Sequence, residues 1–316
     1  MNLATEENSV MQFSVEGSFE SADGAGTGHQ NMGVMRESVL LAKTRSRFVK
    51  HVASLAQNLT DAAVMKLSHP AGNGFASWKH AVLLYLREHM TAEYEEIIDW
   101  AEEMERIRFL LGLRRGEFPA PSTLCKAFKR APMSVWRHLL RRSAELLPRN
   151  GHGAIDATYF DRQQASAHFL RRTGRSVRTI QVTYLVDTAV GAILDLYCST
   201  KWPDETRIGP KVALRNAGDL LSLTADKGYD DMSFREALRA VGIRPLIKHR
   251  VFAPSDNAHN ARIDDDRYHQ RSTGESVNSS IKRSHGSAVR GCNWVGQFRG
   301  LAIIAGVHNV EQAIEA

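Results

Sequence analysis

The sequence predicts a mixed α/β (α+β) chain: a five-stranded mixed sheet with flanking helices, preceded by an all-helical N-terminal domain. Three observations predict it. The hydrophobic period is helical from about residue 37 to 148 and changes at Gly151. Three β-rich runs then follow on short links, which suits an antiparallel meander. After them, strand and helix patterns alternate to the C-terminus.

At 316 residues there is room for one large domain or two ordinary ones. A composition 43% hydrophobic and 24% charged belongs to a soluble globular protein. No apolar run approaches the roughly 18 residues of a membrane span, and no basic-then-apolar leader opens the chain. Cys125, Cys198 and Cys292 are far apart and odd in number, which fits neither a disulfide framework nor a zinc site. A reducing, cytoplasmic setting is expected.

Residues 1–36 read as a flexible tail: polar, rich in Gly and Ser, without a period. Gly24-Ala25-Gly26-Thr27-Gly28 has no strand before it and reads as linker rather than phosphate loop. Helices are expected from Ser38 to about Leu59, across Ser77 to Leu86 after the Ala71 to Gly74 break, and from Ala92 to Leu111. Pro121 opens another to about Arg130, and Pro132-Met133-Ser134 opens one ending near Leu147.

Charge is uneven over this half, taken as a domain spanning residues 37–150. Residues 91–105 hold seven acidic side chains and no basic one, whereas residues 105–149 hold eleven Lys and Arg against three Glu. The whole chain carries only +6, so the basic excess sits in that segment. Arg114, Arg115, Lys126, Lys129, Arg130, Arg137, Arg141 and Arg142 on short helices suit a surface that tracks DNA phosphates. Lys126 to Arg142 also fits a helix-turn-helix. The competing reading is a solvated basic face packed against acidic residues 91–105.

The second half, residues 151–316, supplies the sheet. Gly153 to Phe160, Val177 to Asp187 and Ala192 to Cys198 are rich in β-branched, aromatic and aliphatic residues. A helix from Asp204 to Ala217, a strand from Leu221 to Ala225, a helix from Met232 to Val241 and a strand from Arg244 to Lys248 follow. A polar, irregular stretch from Phe252 to Arg267 comes next, and Trp294 to Ala313 forms the last helix. That order is the order of a ribonuclease H-like fold. Asp156 falls on its first strand, Asp226 ends the fourth, and Glu275 lies on a helix after the fifth, so the three carboxylates can converge at the sheet edge. Asp187 and Asp195 read as turn residues, and Asp264-Asp265-Asp266 as a helix cap.

Tyr268, Arg271, Glu275 and Lys282 are spaced by three, four and seven. On a continuous helix these offsets fall within an arc of roughly 60°. A phenol, a guanidinium, a carboxylate and an ammonium on one face do not look like an ordinary solvated face. The rival explanation is a capping box, Ser272 at N-cap and Glu275 at N3.

Ile155-Asp156-Ala157-Thr158, Ala225-Asp226-Lys227-Gly228-Tyr229 and the Tyr268, Arg271, Glu275, Lys282 signature together resemble the DDE motifs of insertion-sequence transposases, in the group named after insertion sequences four and five. The resemblance covers about residues 151–310, and residues 75–148 more loosely. It implies a ribonuclease H-like catalytic domain with Asp156, Asp226 and Glu275 as catalytic metal ligands. It implies double-stranded DNA, as terminal inverted repeats and target, for a partner, and a homodimer on that DNA in a nucleoid-associated protein. Tyr268, Arg271, Lys282 and Lys227 become candidate DNA contacts. Some relatives insert a β-rich domain between the second Asp and the Glu; the 48 residues between Asp226 and Glu275 leave no room for it.

The chemistry agrees with the resemblance. Phosphodiester cleavage and rejoining needs an activated oxygen nucleophile and a stabilised leaving oxygen, which two hard cations about 3.5–4 Å apart provide. Mg²⁺, with Mn²⁺ as substitute, prefers oxygen ligands and keeps waters, so three carboxylates and DNA phosphates suffice for two ions. The alternative is a catalytically inactive or repurposed DNA-binding relative. A metabolic α/β enzyme has no phosphate loop or nucleophile elbow here to support it.

Overall fold

The fold is organised on a five-stranded sheet whose central strand carries Asp156. The computed structural model describes residues 44–58, 77–162, 179–291 and 293–316, with Arg172 and Gly174. These residues belong to one compact unit, 42–316. The expected N-terminal tail, the glycine-rich stretches near residues 24–28 and 71–74, and Cys292 lie outside them.

The helical half comprises α1 (44–58), α2 (Ser77–His89), α3 (Tyr94–Glu103), α4 (Glu105–Leu111), α5 (Pro121–Arg130) and α6 (Met133–Ala144). The single helix expected from Ala92 to Leu111 is two. Met104, extended at φ −78° and ψ 97°, closes α3 and opens α4. The break lets Ile97, Ile98 and Ala101 before it and Ile107 and Leu111 after it all turn inward. Pro121 sits in the first turn of α5 as expected, where its missing N–H costs nothing.

The sheet follows as β1 (His152–Asp161), β2 (Thr179–Asp187) and β3 (Ile193–Ser199), then α7 (Glu205–Arg215), β4 (Ser222–Ala225), α8 (Met232–Ala240) and β5 (Arg244–Ile247). Its strand order is β3-β2-β1-β4-β5. β1 runs antiparallel to β2 and parallel to β4, and β5 is parallel to β4. An antiparallel meander of three strands extended by two parallel ones is the ribonuclease H-like topology that the sequence predicts.

The stretch from Phe252 to Arg267 is not irregular. It forms α9 (Pro254–Asn260) and the start of α10 (Asp265–His269). Asp256 accepts from the Phe252 and Ala253 N–H groups, and Asp264 accepts from the Arg267 N–H, so both turns are started by short acidic side chains. The chain ends with α11 (Ser272–His285) and α12 (Trp294–Glu315).

Alternation along the strands sends two sets of side chains to two cores. One face carries Ala154, Phe160, Ile180, Val182, Tyr184 and Val186 into a core shared with α12 and the N-terminal helices. The other carries Ile155, Leu185, Leu223 and Ala225 against Ile208, Val212, Phe234 and Leu238 of α7 and α8. Trp136, Leu139 and Leu140 of α6 are buried in the first core. Asp195 is not a simple turn residue: it is buried and bound by Arg215 at 2.8 Å and Asn216 at 2.9 Å. Asp187 does accept from Ala189 N in its turn, but also from the N–H groups of Asn150 and Gly151, tying the strand entry to the hairpin.

Candidate active site

The strand register brings the first two carboxylates side by side. Ile155 pairs with Ala225 across the parallel β1–β4 ladder. Asp156 and Asp226 each come one residue later, on chains about 4.8 Å apart, directed to the same face. Asp226 ends its strand and starts a 3₁₀ turn, Lys227–Tyr229, with its Oδ1 accepting from Gly228 N at 2.6 Å.

α11 closes over this pair. A Cβ on Gly274 would lie 3.2 Å from Asp156 Cβ, so a glycine there lets the first turn of the helix approach β1. One turn on, Asn278 donates from Nδ2 to Asp156 Oδ2 at 2.8 Å. Glu275 lies between Gly274 and Asn278 on the same helix, more exposed, and accepts from Arg271 Nη1 at 2.5 Å.

The capping-box explanation of Glu275 fails. Arg271 occupies the N-cap position in a helical conformation with no side-chain cap, and Ser272 Oγ donates instead to His269 O. The helix also breaks at Gln270 and Arg271, between α10 and α11. Tyr268 and Arg271 still stay close, the guanidinium 5.9 Å from the ring centre. Tyr268 is buried at 8% exposure, and Lys248 Nζ lies 4.3 Å from its ring. Lys282 is half-buried with Nζ 5.5 Å from the Phe160 ring, and Lys227 is exposed.

Electrostatics couple the carboxylates. Burial pushes the Asp156 carboxyl up, and the charges of Asp226 and Glu275 add to that against hydrogen bonds from Ala157 and Asn278. Burial pulls Arg271 down, but the hydrogen bond and charge of Glu275, aided by Tyr268 and Asp226, leave it raised.

A fourth carboxylate, which the sequence did not reveal, joins them. Glu205, first residue of α7, is half-buried, and burial with the charges of Asp226 and Asp156 pushes its carboxyl up to about 6, against Arg250.

These donors fit hard cations: they are carboxylate oxygens at one sheet edge, and Asp156, Asp226 and Glu205 form no ion pair among the described residues. Among the described residues no group of three or more His, Cys, Asp or Glu is drawn together closely enough to hold a metal ion by itself. Mg²⁺ retains waters and shares phosphate oxygens, so it does not require such a group.

The basic residues of the helical half differ in exposure and in partners. Arg114, Lys126, Lys129 and Arg130 are exposed with no ion pair among the described residues. Arg115 pairs with Glu103 at 3.3 Å, Arg141 with Asp219 at 2.8 Å and Arg142 with Glu145 at 2.6 Å. Arg137 is half-buried, 5.6 Å from the Phe298 ring. α5 and α6 are joined through Ala131 and Pro132, and the apolar face of α6 is buried.

Fold and site together define a ribonuclease H-like domain with acidic residues gathered where β1 and β4 meet. The chain matches the Transposase DDE domain family over residues 147–310, more than half its length, and belongs to that family. It is thus a protein of the transposition enzymes, a class that works with divalent metal ions. Two solved structures share parts of its path. One is the cryo-EM structure of the piggyBac transposase synaptic complex with hairpin DNA, at 11% identity and a TM-score of 0.42, covering 85% of this chain and 73% of that one. The other is the Mos1 transposase paired-end complex with left transposon end, at 9% identity and 0.23, covering 72% and 85%. No curated protein matches. No helix among the described residues is long and apolar enough to cross a membrane.

Proposed function

We propose that this chain is the transposase of an insertion sequence, akin to the group of insertion sequences four and five. In this proposal it binds the element's terminal inverted repeats and catalyses metal-dependent DNA strand cleavage and strand transfer. The observation that carries the proposal is the placing of Asp156 and Asp226 at adjacent register positions under the helix that bears Glu275.

When bound, two Mg²⁺ ions, or Mn²⁺ in their place, supply activation of the attacking oxygen and charge neutralisation at the leaving oxygen. Asp156, Asp226 and Glu275 are the carboxylates that would hold those ions. Asn278 fixes the Asp156 carboxylate by its hydrogen bond. Arg271 offers a planar fork suited to a phosphate and exchanges Glu275 for it when DNA arrives. Lys282 and Lys227 hold neighbouring phosphates, and Tyr268, pinned between Lys248 and Arg271, positions them. Arg114, Lys126, Lys129 and Arg130 are the helical-half residues best placed to track backbone phosphate. Two ends must be joined, so the acting species is a dimer on DNA, at the nucleoid in the cytoplasm.

The test uses DNA flanking the reading frame, searched for terminal inverted repeats. Asp156→Asn, Asp226→Asn and Glu275→Gln should each abolish Mg²⁺-dependent cleavage of that DNA while binding persists. Full cleavage by one variant would remove that residue from the site. A wild-type chain that binds the ends without ever cleaving them would instead support a repurposed DNA-binding relative.

A further inference from the structure

We propose that Glu205 is a fourth carboxylate of this site and shares a divalent cation with Asp226. The proposal rests on the transposase chemistry above and adds a ligand to it.

The geometry starts at Gly228. A Cβ built there would lie 2.1 Å from Glu205 Oε2 and 2.8 Å from Asp226 Oδ1. Two carboxylate oxygens from different elements, the first turn of α7 and the end of β4, therefore converge on the one position in the turn that has no side chain. A side chain at 228 would meet both oxygens, of which Asp226 Oδ1 is held in place by the Gly228 N–H at 2.6 Å.

Carboxylates brought together in this way repel unless something positive lies between them. Nearby, such charges are paired: Asp195 with Arg215, Asp230 with Arg235, Glu275 with Arg271. Glu205, Asp226 and Asp156 form no ion pair among the described residues. The first turn of a helix favours a carboxylate through its dipole, which is the rival account of Glu205. Yet among the described residues Glu205 accepts no hydrogen bond from the first turn of its helix, and its Oε2 lies over Gly228 instead.

A second observation points to a ligand at the same cluster. Asn278 is 6% exposed; its Nδ2 is used by Asp156, while its Oδ1 is buried without a hydrogen-bond partner among the described residues. A buried amide oxygen left open is costly. A cation with its bound waters at this cluster supplies donors for it and charge for the carboxylates, using oxygen ligands alone.

The experiment is a Mn²⁺ titration of the full chain by calorimetry and electron paramagnetic resonance, for wild type, Glu205→Gln, Glu205→Asp, Asp226→Asn and Glu275→Gln. Melting of each in EDTA reports the fold. Glu205→Gln should weaken Mn²⁺ uptake by at least about ten-fold, or lose one equivalent, while melting and end-DNA binding match wild type. Glu205→Asp keeps the charge on a shorter arm, and should weaken uptake as well. Wild-type uptake in both Glu205 variants, beside lost uptake in Asp226→Asn and Glu275→Gln, would overturn the fourth ligand and leave the transposase proposal standing. Weakening in Glu205→Gln with wild-type uptake in Asp226→Asn would overturn the shared cation. A wild-type chain that takes up no Mn²⁺ would overturn both.

Discussion

Asn278 reaches across from α11 to Asp156 on β1, Nδ2 to Oδ2 at 2.8 Å. This bond locks the rotamer of a carboxylate that three neighbouring charges would otherwise push about. It also fixes how α11, and with it Glu275, sits on the sheet.

The first prediction concerns this bond. Asn278→Ala should lower cleavage roughly ten-fold, the scale of losing a residue that orients a metal ligand, with end-DNA binding unchanged. Asn278→Asp should do worse, because it sets another negative charge against Asp156. Steady-state cleavage of a labelled end duplex checks both. Wild-type rates in both would assign Asn278 to packing alone.

A second prediction separates Arg271 from Lys282. Arg271→Lys keeps the charge but loses the bidentate fork, so strand transfer should fall clearly. Lys282→Ala removes one point charge, worth a few kcal/mol at most at intermediate dielectric, so its loss should be partial. Mn²⁺ uptake should survive both changes. Strand transfer and Mn²⁺ binding measured side by side decide whether this helix face handles phosphate or merely packs.

Gly228 gives a third. Gly228→Ala adds the Cβ that meets Glu205 Oε2 and Asp226 Oδ1. It should weaken Mn²⁺ binding in the wild-type background and weaken it less in a Glu205→Ala background, where one obstructed group is gone. Equal losses in both backgrounds would mean that the effect runs through Asp226 or the turn backbone only.

The fourth concerns the scaffold behind Asp226. Arg235 is buried at 2% exposure and bonded to Asp230 at 2.6 Å, while Asp230 also accepts from Arg250 N at 2.6 Å. Removing one partner of a buried pair costs about 3–5 kcal/mol, so Asp230→Asn should lower the melting temperature strongly, and Asp230→Asn with Arg235→Met should recover part of it. Burial pushes the Asp230 carboxyl up, but bonds from Arg250 and Arg235 and the Arg235 charge hold it below the ordinary carboxylate range. A depressed carboxylate stabilises the fold above its unfolded value, and that contribution is lost as pH falls through its folded value. Acid melts should therefore show wild type losing its advantage over Asp230→Asn as pH drops below about 4.

Much of this was legible in the chain. β1 to β3 announced themselves through β-branched and aromatic runs, and Asp156 and Asp226 fell at their strand positions because the period there is unambiguous. The break at Met104 was not legible, because the apolar stripe runs on through it. α9 and α10 were hidden by polarity, although Pro254 and Asp264 were readable start signals. Asn278, three residues after Glu275 on one helix face, could have been found by the spacing that picked out Arg271. Glu205 could not: its approach to Asp226 arises only when α7 packs on the turn at Gly228. In the sequence the basic run looks like one surface, yet Arg137 lies over the Phe298 ring and three other arginines are paired at home. Charge counts along a chain do not reveal which cations tertiary contacts have already taken.

The central claim is that Asp226 acts by holding a cation during phosphodiester chemistry, and metal-specific rescue tests it most directly. Asp226→Cys replaces a hard oxygen ligand by a soft sulfur, which Mg²⁺ accepts poorly and Mn²⁺ better. Cleavage of element-end DNA by Asp226→Cys should be lost in Mg²⁺ and regained at least in part in Mn²⁺, with DNA binding unchanged. Full cleavage by Asp226→Cys in Mg²⁺ would contradict the account.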